Sequence, residues 1–321
     1  MPVVANSSYR PPLLLGNGHL QTIFPALFRK VAGVVYRRER IPTPDDDFLD
    51  LDWATTGSRR LAVIAHGLEG NSSRSYVLGM VRALQRKGWD SVVWNARGCS
   101  GEPNRTLRFT HSGATEDLDA VVRHVLATGP HEQIALVGFS LGGNVTLKYL
   151  GERGSQIDPR IRKAVAFSVP CDLQSGSIHL AGRANQIYMR HFLSSLRGKI
   201  QAKMPMAAGK IDDCNYERLR TFKDFDDRYT APLHGFADAE DYWRQSSCAP
   251  FLRSISIPTL LINARNDPFL ADRCFPQEEA RANSNLYLET PRSGGHVGFI
   301  NFNRGGEYWS ESRAVGFLNS Q

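Results

Sequence analysis

QIALVGFSLGGN, residues 133–144, decides the fold. Its first part, IALV, is apolar without alternation, as expected of a strand buried on both faces of a parallel sheet. Its last part opens a plausible helix, and Gly138-Phe139-Ser140-Leu141-Gly142 joins the two as G-x-S-x-G. Chance supplies that motif in roughly one chain in six. A strand before it and a helix after it give it meaning, because that is the setting of a nucleophile elbow. The turn is so tight that its serine takes a strained backbone conformation. Residues two before and two after the serine crowd each other, which calls for the small Gly138 and Gly142. The Ser140 hydroxyl is thereby raised above the sheet edge. It sits at a helix N-terminus, where free N–H groups favour developing negative charge.

Outward from this stretch the chain alternates apolar strands with helical segments. Strands are expected at Leu61–His66, Ser91–Asn95, Ile134–Phe139, Lys163–Val169, Thr259–Asn263 and Asn285–Glu289. Residues 33–41 and 47–54 look like an opening antiparallel pair around Pro42 and Pro44. Helices are expected near 75–87, 114–128 and 142–152, the second with Thr115, Glu116 and Asp117 as its start signal. Repeated βαβ units make an α/β fold: a mostly parallel central sheet flanked by helices. The alternation fails over 172–245, a stretch rich in Arg, Lys, Asp and aromatics. It reads as an inserted helical cap between two parts of one core, 1–171 and 246–321.

A serine nucleophile needs a base, and the base needs an orienting acid. In this fold the chain order is serine, acid, histidine. His296 is the last histidine and lies in Ser293-Gly294-Gly295-His296-Val297-Gly298, a loop whose small residues let it approach the elbow. Asp267, after the strand TLLIN, stands at the carboxyl edge where open α/β sheets carry their sites. Asp172, Asp226 and Asp227 compete for that role and are less well placed. The loop His66-Gly67-Leu68-Glu69-Gly70 follows an early strand. The backbone N–H groups of Leu68 and Leu141 are the expected oxyanion donors. His66 is expected to brace that loop, with Gly67 opening it, and Glu69 reads as a solvated or bracing carboxylate. His19 and His111 are expected to brace loops. The segments GNGHLQT (16–22) and RGCSGEPN (97–104) read as glycine turns around the site.

The 321 residues are 41% hydrophobic and 22% charged, ordinary globular usage, with a formal net charge of +7. The densest basic stretch, Arg37, Arg38 and Arg40, alternates in a β-like segment, so no nucleic-acid partner is expected. Peripheral contact with an anionic membrane is the remaining outlet for the charge. Cys99, Cys171, Cys214, Cys248 and Cys274 are odd in number and lack CxxC or Cys/His spacing. Neither a disulfide framework nor a metal site is expected, and the thiols should be buried and inert. The N-terminal stretch lacks the pattern of a signal peptide, and Leu13-Leu14-Leu15 is too short to span a bilayer, so a cytoplasmic location is expected.

HGLEGNSSRSYV, WNARGCSGEPN, HSGATEDL, GFSLGGN, NARNDPF and GGHVGF occur here in one order, with GNGHLQT before them. Together they resemble the YheT-like hydrolases, relatives of the plant embryogenesis-associated hydrolases and the animal abhydrolase-domain lipases. The resemblance runs from about residue 13 to 300 and is weakest in the cap. It implies a soluble enzyme with carboxylesterase activity and a triad on Ser140, Asp267 and His296. Eukaryotic members carry a membrane anchor that is not expected to carry over. The reading is a serine carboxylesterase for short-to-medium-chain esters, needing no metal or organic cofactor. The alternatives are a lipase or thioesterase on the same triad, and a ligand-binding pseudoenzyme. The number of subunits is not legible.

Overall fold

The computed structural model describes residues 3–320. In chain order its elements are β1 (Val3–Val4), α1 (Gly18–Phe28), β2 (Arg37–Pro42), β3 (Phe48–Ala54), β4 (Arg60–Ala65), α2 (Ser75–Gln85) and β5 (Asp90–Asn95). Then come α3 (Thr115–Thr128), β6 (Gln133–Phe139), α4 (Leu141–Arg153) and β7 (Ile161–Phe167). Helices α5 (Leu173–Leu180), α6 (Gln186–Lys203), α7 (Phe222–Phe225), α8 (Ala231–His234) and α9 (Ala239–Ser246) follow without a strand among the described residues. The chain closes with β8 (Thr259–Ile262), α10 (Gln277–Ala282), β9 (Leu286–Glu289) and α11 (Trp309–Asn319).

The nine strands form one sheet in the order β1-β9-β8-β7-β6-β4-β5-β3-β2. Only β3 runs against the rest, being antiparallel to both β5 and β2. The sheet explains why its central strands do not alternate. Leu61, Val63 and Ala65 of β4 enter the core shared with α3 and α4. Ala62 and Ile64 enter the opposite core, with α2 and α11. Strand β6 divides the same way, Ile134 and Leu136 to one side and Ala135, Val137 and Phe139 to the other. Both faces are dry, so both parities of position are apolar.

Several local expectations need correction. The GNGHLQT segment is not a glycine turn but the start of α1, with Asn17 accepting from the His19 and Leu20 N–H groups as N-cap. Helix α3 begins at Thr115 with Glu116 and Asp117 in its first turn, as expected, after Ala114 at a cap position that no side chain fills. Asp117 serves a different end: it is buried and forms a two-pronged ion pair with Arg97 of the RGCSGEPN segment. Arg97 also binds Asp45 and Asp47, so this buried guanidinium pins together three segments. Cys214 is exposed, whereas the other four cysteines are buried. The arginines of β2 are engaged as well, Arg38 with Asp52 and Arg40 with Asp50 and Glu102.

Candidate active site

The elbow turns from β6 into α4 at Ser140, whose φ is +53°. A Cβ on Gly142 would lie 2.4 Å from the carbonyl oxygens of Ala65 and His66, and one on Gly138 would lie 2.6 Å from the Gly143 Cα. Both clashes are with backbone, so neither glycine can be replaced without moving the turn. The Ser140 Oγ stands 2.9 Å from His296 Nε2. His296 Nδ1 lies 2.9 and 3.1 Å from the two oxygens of Asp267. The carboxylate side fixes the proton on Nδ1 and leaves Nε2 free to accept the serine hydroxyl proton. Asp267 is itself oriented by the Phe269 N–H, 2.9 Å from its Oδ1. The Phe269 ring stacks on the imidazole at 4.0 Å between centroids.

Over the serine lies the 66–70 loop. Among the described residues the Leu68 and Leu141 N–H groups have no acceptor. Gly67 donates its N–H to the Tyr76 hydroxyl at 3.0 Å, and a Cβ there would come within 3.2 Å of the Ser140 Cβ. His66 braces the loop from below: Nε2 accepts the Ala96 N–H at 3.1 Å, and Nδ1 donates to the Gly67 carbonyl at 2.8 Å. Burial pushes its pKa down to about 4, so the ring is neutral and holds this tautomer. Glu69 is tied rather than solvated. Its carboxylate pairs with Lys199 at 2.6 Å and accepts the Ser195 hydroxyl at 2.7 Å, both from α6.

Ser140, Leu141, Leu68 and His296 open into a cavity beneath residues 172–245. Its walls are mostly apolar, with Phe109, Leu180, Phe192, Leu196, Phe222 and Phe225 among them. His111 also lines it, with Nδ1 accepting the Gly113 N–H. Among the described residues no cluster of three or more His, Cys, Asp or Glu side chains is placed to hold a metal ion. None of the helices described is long and apolar enough to cross a membrane.

Of the acids that compete with Asp267, Asp172 caps α5 by accepting the Ser175 N–H, and Asp227 pairs with Lys223. Asp226 lines the cavity and is bound by Thr230 Oγ1 at 2.6 Å and Trp243 Nε1 at 2.8 Å. Burial raises its carboxyl to about 7, outweighing the lowering by those two donors. The folded chain therefore keeps this proton up to about pH 7, while an unfolded Asp releases it near 4. Across that window the folded state binds more protons, so stability falls as pH rises, by about 1.4 kcal/mol for each pKa unit separating the two states. Asp226→Asn should flatten this slope: the variant's melting temperature gains on the wild type between pH 5 and pH 8. Thermal unfolding across that range is the check, and parallel curves would refute it.

Residues beyond the triad complete the site. Thr22 Oγ1 of α1 accepts the His296 N–H at 2.9 Å, and Asn266 Oδ1 accepts that of Gly295 at 3.1 Å. Gly295 and Gly298 of the histidine loop approach α1 rather than the elbow, for a Cβ on Gly295 would lie 2.5 Å from the Gly18 carbonyl. A Cβ on Gly298 would lie 2.2 Å from the Gln21 carbonyl, whose helical partner is removed by Pro25. Sequence reading missed this role of α1. Its available signal was an Asn-Gly start, Asn17-Gly18, ahead of a long stretch free of further glycine.

Comparison with known proteins agrees with this architecture. Residues 63–302 match the α/β-hydrolase fold family. The protein named "Putative esterase YheT" of Escherichia coli is 37% identical, with 98% of this chain and 94% of that protein covered. Phospholipase ABHD3 of Homo sapiens is 30% identical over 92% of this chain and 75% of its own length. The Pyrococcus furiosus esterase Pf2001 superposes with a TM-score of 0.61 at 18% identity, covering 90% of this chain and 94% of that one. That last likeness speaks for the fold alone. The chain belongs to the α/β-hydrolase family. Within it the chain falls in the group that holds YheT, and it is an enzyme of the carboxylic ester hydrolase class.

Proposed function

We propose that this chain is a serine carboxylesterase for short-to-medium-chain esters. The observation that carries the reading is the unbroken hydrogen-bonded line from Ser140 Oγ through His296 to Asp267. In this reading His296 takes the hydroxyl proton as Ser140 attacks the acyl carbon. The Leu68 and Leu141 N–H groups hold the oxyanion. The protonated imidazole, steadied by Asp267, gives its proton to the leaving alkoxide, and water then releases the acyl group by the reverse path. Residues 172–245 act as a cap over one core made of 1–171 and 246–321, and the cavity beneath them takes the acyl chain.

The mostly apolar wall supports an alkyl acyl group. A lipase or thioesterase would use the same groups, whereas a pseudoenzyme would have no need of a complete line of donors and acceptors. The deciding assay compares p-nitrophenyl esters from acetate to laurate with a thioester and an amide of one acyl group. Turnover is expected to peak between butyrate and octanoate and to fall steeply for the amide. Preference for the amide, or a maximum at laurate, would overturn the reading.

A further inference from the structure

Helix α1 is amphipathic the wrong way round. Its buried positions are Gly18, Gln21 and Pro25, which face the histidine loop. Its outer surface carries Leu20, Leu27 and Phe28, with Leu27 and Phe28 67% and 65% exposed. Phe24 lies between them on the same stripe, 5.1 Å from the Phe28 ring and 6.2 Å from that of Phe302, which is itself 62% exposed. In the loop just before the helix Leu13 is 92% and Leu14 87% exposed. Single exposed apolar side chains are ordinary on a soluble protein, but a contiguous set marks a surface that something covers.

The charges on the two chain segments that carry this set have one sign. The first acid in the chain is Glu39, and none occurs between Glu289 and Glu307. These two segments make up α1, its flanking loops and the turn bearing Phe302. Arg10, Lys30 and Arg304 lie on them, exposed and in no ion pair among the described residues. Arg265 and Arg292 are likewise exposed, each next to a residue whose side chain donates to the Gly16 carbonyl. The acids that follow are engaged, Glu311 with Arg29 and Glu307 with Ser312.

We infer that the outer surface of α1, with Leu13, Leu14 and Phe302 beside it, docks on an anionic lipid surface. Apolar side chains enter the interface while the surrounding cations meet the headgroups. A protein partner would more often present both signs of charge to a matching surface. The docking face also adjoins the cavity. His19 of α1 bonds the Tyr188 hydroxyl at 3.0 Å, and Tyr188 packs on Phe269 in the cavity wall.

The test is co-sedimentation of the full chain carrying Ser140→Ala, so that no lipid is consumed. The vesicles are phosphatidylcholine alone and phosphatidylcholine mixed with phosphatidylglycerol. Binding is expected to the mixed vesicles and to weaken as salt rises. Adding Leu27→Ser with Phe28→Ser, or Lys30→Glu with Arg304→Glu, should lower it by about tenfold or more. The same pairs placed in the wild type should leave turnover of a soluble ester within about twofold, because none of these side chains touches the cavity. Absence of binding to mixed vesicles, or binding indifferent to both pairs, would overturn the inference. So would a dimer in solution that Leu27→Ser with Phe28→Ser dissociates, since the face would then cover a second copy. The vesicle result does not depend on ester cleavage, and failure of the wild type to turn over esters would bear on Ser140 alone.

Discussion

Replacing Ser140 by alanine should abolish ester turnover while leaving a folded protein. The expected loss in kcat is at least about 10⁴-fold, the scale on which a catalytic serine contributes. No other hydroxyl stands within hydrogen-bonding distance of His296 Nε2 among the described residues, so nothing substitutes for the lost nucleophile. The fold should survive because Ser140→Ala keeps the Cβ that sits beneath Gly67. The backbone bonds also remain, from the Ser140 N–H to the Phe167 carbonyl and from the Asn144 N–H to the Ser140 carbonyl. Only one partly buried hydrogen bond is removed, worth about 1 kcal/mol. The positive φ of +53° costs alanine about what it costs serine. Labelling with a fluorophosphonate probe, read beside melting temperature, separates the outcomes. Loss of labelling with an unchanged melting curve is the expected result. Labelling that persists in the variant would place the nucleophile elsewhere.

That prediction rests on residues the sequence makes visible. Strands β4 and β6 are legible because a sheet covered on both faces admits no polar position, and the elbow because two backbone clashes leave glycine as the workable choice. The order serine, acid, histidine picks out Ser140, Asp267 and His296, and the fold sets those side chains in hydrogen-bond contact. What stays hidden has a common cause. Helix α1 buries Gly18, Gln21 and Pro25 and exposes its large apolar side chains, so a search for an inward hydrophobic stripe passes over it. Thr22 supports His296 across most of the chain length, and Glu69 finds Lys199 on a helix far along the sequence. Pairings of that kind depend on the closed fold, and no local pattern announces them. Asp226 reads in the sequence as one of the acids competing with Asp267. Its raised pKa comes from burial, which outweighs the bonds from Thr230 and Trp243 and which composition does not reveal.

Asp267→Asn should be nearly as damaging as loss of the serine, for a reason the geometry makes specific. The Phe269 N–H donates to Oδ1 of Asp267, and an asparagine would keep that bond by placing its own carbonyl oxygen there. Its NH₂ would then occupy the Oδ2 position, 2.9 Å from His296 Nδ1. A donor at that shorter contact favours Nδ1 as an acceptor over its longer 3.1 Å bond to Oδ1, and shifts the ring proton toward Nε2. An imidazole protonated at Nε2 cannot take the Ser140 proton, so the base is present, in place and in the wrong tautomer. The expected fall in kcat is about 10³ to 10⁴-fold with KM little changed, the scale seen when a triad aspartate of a serine protease is made an amide. Stability should change little, since size and the Phe269 bond are kept. Steady-state kinetics with nitrogen NMR of the His296 ring tests both halves of the argument. Activity within about tenfold of the wild type would mean that another acid orients the base. The contacts leave that acid hard to find, because Asp172 is committed to the α5 cap, Asp227 to Lys223, and Asp226 to Thr230 and Trp243.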